Sequence, residues 1–205
     1  VPELLQSPHE NRVVDVTQYD QVLEACQGMD AAINLTVVRP HPVLAFRVNM
    51  SGAYNIARAA AECDLKRLIH TGPFHHVLSH NADYSNDFEV AEDIPLHPGD
   101  DLYALSKYLG GHIIQVFAER CGLEVLTFLF CGFRPRKIRD EEKGRGLGPF
   151  YTSWEDTGES FLYGLRAAEM PTPYEPFFIC SKLPHRHYRV DKAKRLLGWE
   201  AQDDF

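Results

Sequence analysis

Tyr103 and Lys107 stand four residues apart in Tyr-Ala-Leu-Ser-Lys, inside a stretch, Leu102–Cys121, that reads as one long amphipathic helix. Residues at i and i+4 share a helix face one turn apart. A phenol with a pKa near 10 is a poor base at neutral pH. An ammonium on the same face favours the phenolate and brings the group into a useful range for moving a proton on and off an oxygen.

Other side chains with chemical potential lie further along. His70, His75, His76 and His80 fall close together, and His185 and His187 form an HxH. Imidazoles at such spacings can bind zinc, but no cysteine or acidic partner completes a four-ligand pattern, so no metal site is expected. His75 and His76 are instead candidate substrate contacts or auxiliary acid/base groups. Arg134 and Arg136, in Gly-Phe-Arg-Pro-Arg, could hold an acidic sugar or a phosphate, or simply form a solvated charged loop.

The elements around these residues repeat in the order strand, helix. Arg12–Asp15 is a short β-branched run, and Gln18–Gln27 is a helix stopped by Gly28, with Thr17 and Asp20 resembling a capping box. Asp30–Leu35 forms the next strand, and Arg39-Pro40-His41-Pro42 is loop. A small-residue helix covers Val48–Cys63, and Arg67–His70 is a strand ending at Thr71-Gly72-Pro73. A polar loop then leads to the Leu102–Cys121 helix, closed by Gly122, and Glu124–Phe130 is a further strand. Beyond Gly132 the texture changes, with a helix from Trp154 to about Ala168 capped by Ser153. A last strand covers Pro176–Cys180, and a closing helix, Asp191–Leu197, is stopped by Gly198. Short apolar strands that do not alternate predict an α/β protein with a Rossmann-type doubly wound parallel sheet. The Tyr/Lys pair then sits where the strands end, which is where such sheets bind ligands. Residues 1–130 are expected to form the dinucleotide-type domain and 131–205 a small substrate lobe.

The composition narrows the options. The 205 residues, 44% hydrophobic and 24% charged, suffice for one sizeable core. A formal net charge of −8 and a pI near 5.7 argue against nucleic acid or an anionic membrane surface as partner. No apolar run reaches the roughly 18 residues of a membrane helix. Five scattered cysteines, never spaced as CxxC, fit a reducing compartment, so a cytoplasmic protein is expected.

Six segments in order resemble the extended short-chain dehydrogenase/reductases, the NAD-dependent epimerase/dehydratase family. Besides the Tyr/Lys pair, these are Val14-Asp15-Val16-Thr17, Gly28–Leu35, Asn49–Asn55, Lys66–Thr71 and the closing Ala193–Trp199. The resemblance implies an NAD- or NADP-dependent oxidoreductase or epimerase acting on a hydroxyl or keto carbon of a sugar-like substrate. By it Tyr103 exchanges the proton, while Lys107 lowers the tyrosine's pKa and binds the nicotinamide ribose. Asp15 contacts the adenine, Leu35 and Thr36 pass beside the cofactor, and Asn49 and Arg134 join the cofactor site. His75, His76 and Arg136 face the substrate. A homodimer through a four-helix interface of the Val48–Cys63 and Leu102–Cys121 helices is implied too. The C-terminal lobe is similar in length to that of uronate dehydrogenases.

Two departures stand out. Pro73 occupies the register position where the family usually carries a Ser or Thr that hydrogen-bonds the substrate oxygen, leaving Thr71 or Ser79 to substitute. Thr71 reads equally well as a cap on its strand. Loss of such a donor costs on the order of 10²–10³ in rate by analogy with oxyanion-hole deletions, so a weak or silent member with a binding or regulatory role is the rival reading. Phe130, where uronate-type relatives carry an Arg, argues against a uronic acid. The second departure is the lack of a Gly-x-x-Gly-x-x-Gly turn after a first strand; Gly144–Gly148 is glycine-rich but follows no strand. A first βαβ unit, on the order of 40 residues, is therefore expected to be missing. The 205 residues alone are expected neither to fold stably nor to hold a dinucleotide tightly.

Overall fold

A computed structural model describes residues 8–73, 88–137, 151–182 and 187–205. Four strands form the main sheet in the order β1-β2-β3-β6, all parallel: β1 (Ala31–Asn34), β2 (Arg67–Pro73), β3 (Glu124–Phe130) and β6 (Tyr174–Phe178). Two three-residue strands not foreseen in the sequence, β4 (Gly132–Arg134) and β5 (Tyr151–Ser153), pair with each other.

Consecutive residues of the central strands feed opposite cores, as a sheet covered on both faces requires. Leu68 and Val125 pack under α1 (Tyr19–Cys26), α3 (Ala53–Glu62) and α4 (Leu102–Cys121). Ile69, Leu126 and Phe128 pack on the other side, with Phe161 of α5 (Trp154–Arg166) and Ala193 and Leu197 of α6 (Asp191–Leu197). This is the Rossmann-type doubly wound arrangement.

Four local expectations are corrected. Arg12–Asp15 pairs with no strand among the described residues. Instead the Asp15 carboxylate accepts from the backbone N–H and the hydroxyl of Thr17, both at 2.9 Å, turning the chain into α1. That contact replaces the Thr17–Asp20 capping box, and the N-cap, Gln18, makes no side-chain cap. Pro42 is helical: it opens α2 (Pro42–Ala45), where a missing N–H costs nothing, and His41 Nδ1 accepts from Leu44 N at 3.4 Å. Helix then runs on from α2 through a π-helical segment, Phe46–Gly52, into α3. The last strand begins two residues before its expected start at Pro176, because Tyr174 and Glu175 already align with Val125 and Leu126.

Candidate active site

Helix α4 is built to present its first two turns. Asp101 caps it, accepting from Tyr103 N at 2.8 Å, and Gly122 ends it in the left-handed conformation (φ 70°). Tyr103 and Lys107 therefore project from the first two turns toward the carboxyl ends of β1 to β3. There they border a cavity of about 300 Å³, with Leu35 and Arg39 after β1, Thr71 at the end of β2, Phe130 of β3 and Phe161 of α5. Larger hollows of about 470 and 710 Å³ lie elsewhere, one around Tyr188 and Trp199, the other at the amino ends of the strands around Arg67 and Gly122. Neither contains the Tyr/Lys pair, and in sheets of this kind the carboxyl ends are where ligands sit.

Lys107 is only 3% exposed, and its Nζ donates to Thr36 O at 3.3 Å. Burial, aided by the charge of Arg39, pushes its ammonium down to about 8. Burial raises the Tyr103 phenol above its usual range, and the Arg39 guanidinium opposes that rise. Arg39 Cζ lies 5.4 Å from the centroid of the Tyr103 ring. Arg39, a residue whose sequence context reads as loop, is thus a cation beside the phenol.

The segment after β1 is held by a buried polar chain. Asn34 Oδ1 accepts from Thr36 N (3.0 Å) and Oγ1 (2.8 Å), and its amide nitrogen lies 3.1 Å from His70 Nδ1. Asn49, expected at the cofactor, spends its side chain on protein: it accepts from Val38 N (3.0 Å) and donates to Val38 O and Ser106 Oγ (both 2.9 Å). The π-helical segment carries it, and such an insertion re-aims one side chain without ending the helix. Ser106 passes its own proton to Tyr103 O at 2.8 Å.

The remaining candidates divide. Thr71 lines the cavity, and its hydroxyl proton goes to Asn34 O at 2.8 Å, leaving it free to accept but not to donate. Pro73 aligns with Phe130 at the end of β2. Asp15 is exposed, with one carboxylate oxygen taken by Thr17. Arg134 stacks over the Tyr151 ring at 4.1 Å. Arg136, expected at the substrate, is engaged elsewhere: its Nε donates to both carboxylate oxygens of Asp203, at 2.7 and 2.9 Å, because Asp203 belongs to the buried knot of Ser153, Asp156 and Ser181. His75 and His76 lie outside the described residues, as do Ser79, His80 and His185. His187 stacks on Phe88 at 4.7 Å. Among the described residues no group of three or more His, Cys, Asp and Glu is placed to hold a metal ion, and no helix is long and apolar enough to cross a membrane.

Fold and site together define a Rossmann-type protein with a tyrosine–lysine pair at the sheet's carboxyl edge. Residues 3–135 match the model of the NAD dependent epimerase/dehydratase family, and the chain belongs to that family. It is 28% identical over 211 residues to L-arabinose 1-dehydrogenase (NAD(P)(+)) of Haloferax volcanii, covering 94% of this chain and 82% of that protein. Its fold is similar to that of glucuronic acid dehydrogenase from Chromohalobacter salexigens, with a TM-score of 0.79 and 20% identity, covering 100% of this chain and 73% of that one. A mutated uronate dehydrogenase gives a TM-score of 0.76 at 20% identity over 93% of this chain, which spans 65% of that protein's length.

Proposed function

We propose that the chain carries the acid/base half of an NAD- or NADP-dependent sugar oxidoreductase or epimerase. The observation that supports this most directly is the shared cavity of Tyr103, Lys107 and Thr71 at the carboxyl ends of three parallel strands. With its pKa above the ordinary phenol range, Tyr103 is protonated at neutral pH and suited to giving a proton to a carbonyl oxygen. In the oxidation direction it must first lose that proton. Lys107 fits the ribose of a nicotinamide dinucleotide: its ammonium has three N–H donors, one spent on Thr36 O, and it lines the cavity. Such a cofactor supplies two-electron redox chemistry when bound. Asp15 is proposed for its adenine end and Leu35, Thr36 and Arg134 for its flank. The faces of α3 and α4, where Tyr54 and Phe117 meet edge to face at 5.6 Å, are proposed as the dimer surface.

The test is cofactor reduction with L-arabinose and with glucuronic acid, supplying NAD and NADP in turn, on the full-length protein and on its Tyr103→Phe variant. Turnover that falls by about 10²–10⁴ in the variant supports the reading. A second reading, a weak or silent family member, is favoured by Pro73 and by the commitment of the Thr71 hydroxyl to Asn34. A silent, binding member shows no turnover in either protein.

A further inference from the structure

The cavity that holds Tyr103 and Lys107 has an aromatic side supplied by the C-terminal half of the chain. Phe130 ends β3, Phe133 belongs to β4 and Phe161 to α5, and all line the cavity. Their rings touch in series: the Phe130 centroid lies 5.3 Å from that of Phe133 and 5.9 Å from that of Phe161, with planes tilted by 42° and 43°. Phe130 is buried, Phe161 half-buried and Phe133 exposed, so the two outer rings have surface to offer a ligand. Among the described residues no cation comes to the cavity from this side. Arg134 lies over the Tyr151 ring, and Arg136 gives its Nε proton to Asp203. The cavity's two threonines share a further property. Thr71 spends its hydroxyl proton on Asn34 O at 2.8 Å, and Thr157, one turn before Phe161, spends its own on Ser153 O at 2.6 Å. Each keeps a lone pair to accept with and has no proton to give.

We propose that this lining selects an uncharged monosaccharide, laid with a C–H face of its ring on Phe133 and Phe161 and donating hydroxyl protons to Thr71 and Thr157, a specificity that rests on the sugar oxidoreductase reading above. A sugar ring carries C–H groups on its faces and hydroxyls on its rim. The face of an aromatic ring is electron-rich and suits C–H groups, and a rim hydroxyl has the proton that each threonine lacks. A carboxylate fails on both counts. It only accepts, so it meets the threonines lone pair to lone pair, and against phenylalanine it loses water with no partner in return. The cations that could pair with it, Arg39 and Lys107, both stand beside Tyr103. A carboxylate held there would take the place that the reacting carbon and its oxygen need.

The test is binding to the full-length protein by saturation-transfer NMR at the sugar protons, which needs no turnover. D-Glucose and D-glucuronic acid differ only in the last carbon, an alcohol in one and a carboxylate in the other, as do D-galactose and D-galacturonic acid; L-arabinose lacks that carbon. In at least one pair the neutral sugar should bind about tenfold or more tighter than its acid, with L-arabinose retained and transfer strongest at the C–H protons of one ring face. Phe133→Arg sets a cation at an exposed position and should move the ratio toward the acid by about tenfold, whereas Phe133→Trp should keep the parent's preference. Phe161→Leu should weaken the neutral sugars without admitting the acids. Acids bound as tightly as their neutral partners, an unmoved ratio in Phe133→Arg, or binding of none of the five sugars overturns the proposal. Failure of the oxidoreductase reading looks different: neutral sugars bind selectively, and no cofactor reduction accompanies them.

Discussion

Asn49 Nδ2 and Ser106 Oγ, 57 residues apart in sequence, meet at 2.9 Å in the interior and fasten the segment after β1 to the helix that carries Tyr103 and Lys107. The same amide brackets Val38 through both its N–H and its C=O. Asn49 therefore acts at one remove from the chemistry: it sets where Thr36 and Arg39 stand relative to α4.

Asn49→Ala should accordingly lower stability by about 2–3 kcal/mol, since it strands buried partners of a polar group that is only 2% exposed. Urea unfolding followed by circular dichroism reads this directly. A loss below about 0.5 kcal/mol would mean that water replaces the amide at no cost.

Close approach of two helices at this clamp gives a second test. A Cβ on Gly110 of α4 would lie 2.1 Å from the Asn49 carbonyl oxygen, a contact backbone cannot relieve by rotating a side chain. Gly110→Ala should destabilise by about 1–3 kcal/mol or more through overpacking. In Gly158→Ala the new methyl meets nothing within 4 Å, in the interior of α5. That variant should gain about 0.5–1 kcal/mol, because glycine loses more freedom in a helix than alanine does. Thermal melts of the pair should therefore move in opposite directions.

Much of this architecture was legible in the sequence where local rules and tertiary packing agree. Helix α4 ends at Gly122 and α6 at Gly198, both in the left-handed conformation that glycine supplies, and Ser153 caps α5 by accepting from Asp156 N at 2.9 Å. Strand β3 is apolar at five of its seven positions and buried at six, so most of it shows as a hydrophobic run. What stayed hidden depends on distant partners. Nothing local marks Arg39 as a neighbour of Tyr103, because the two are brought together only when β1 and α4 dock. Arg136 reads as a free cation in a basic loop until Asp203 folds back to it from the other end of the chain. The β4–β5 pair is three residues long on each side, below the length at which periodicity carries information. Asp15 read as strand because its neighbours are β-branched, whereas its carboxylate holds a turn.

The buried ammonium of Lys107 predicts a particular dependence of stability on pH. Its folded pKa is about 8 against an ordinary 10.5, so between those values the unfolded chain binds a proton that the folded protein does not. Stability from this group therefore rises with pH through that window, and below about 8 the full penalty for burying the charge is present. The difference across the window is on the order of 3 kcal/mol at one pKa unit per 1.4 kcal/mol. The parent's stability relative to Lys107→Met should climb over that range and stay flat below it. A flat difference throughout would show that Lys107 titrates as it does in water.

Arg67 ties the cavity's far wall to the sheet and supplies the most demanding test of the packing. It is 8% exposed at the start of β2. Its Nε donates to Glu124 Oε1 at 2.6 Å, Nη1 donates to the carbonyls of Gly164 (2.6 Å) and Ala167 (2.9 Å), and Nη2 donates to the carbonyl of Ala168 (3.0 Å). The last carbonyls of a helix have no partner within it, and a cation there also meets the negative end of the helix dipole. A planar fork with five donors can serve all of these acceptors at once, whereas an ammonium cannot. Glu124 is drawn into the same clasp, accepting from Met170 N at 2.6 Å through its other oxygen. Arg67→Met would leave a carboxylate and three carbonyls to find water in a nearly closed place, and should cost about 3–5 kcal/mol. Arg67→Lys should recover only part of that. Because α5 brings Thr157 and Phe161 to the cavity, loosening its end should also weaken turnover without touching Tyr103 or Lys107. Equilibrium unfolding and cofactor reduction measured on the same two variants would reveal whether stability and activity fall together, as a shared clasp requires. A stable Arg67→Met protein would show that the C-terminal segment is held by its apolar core alone.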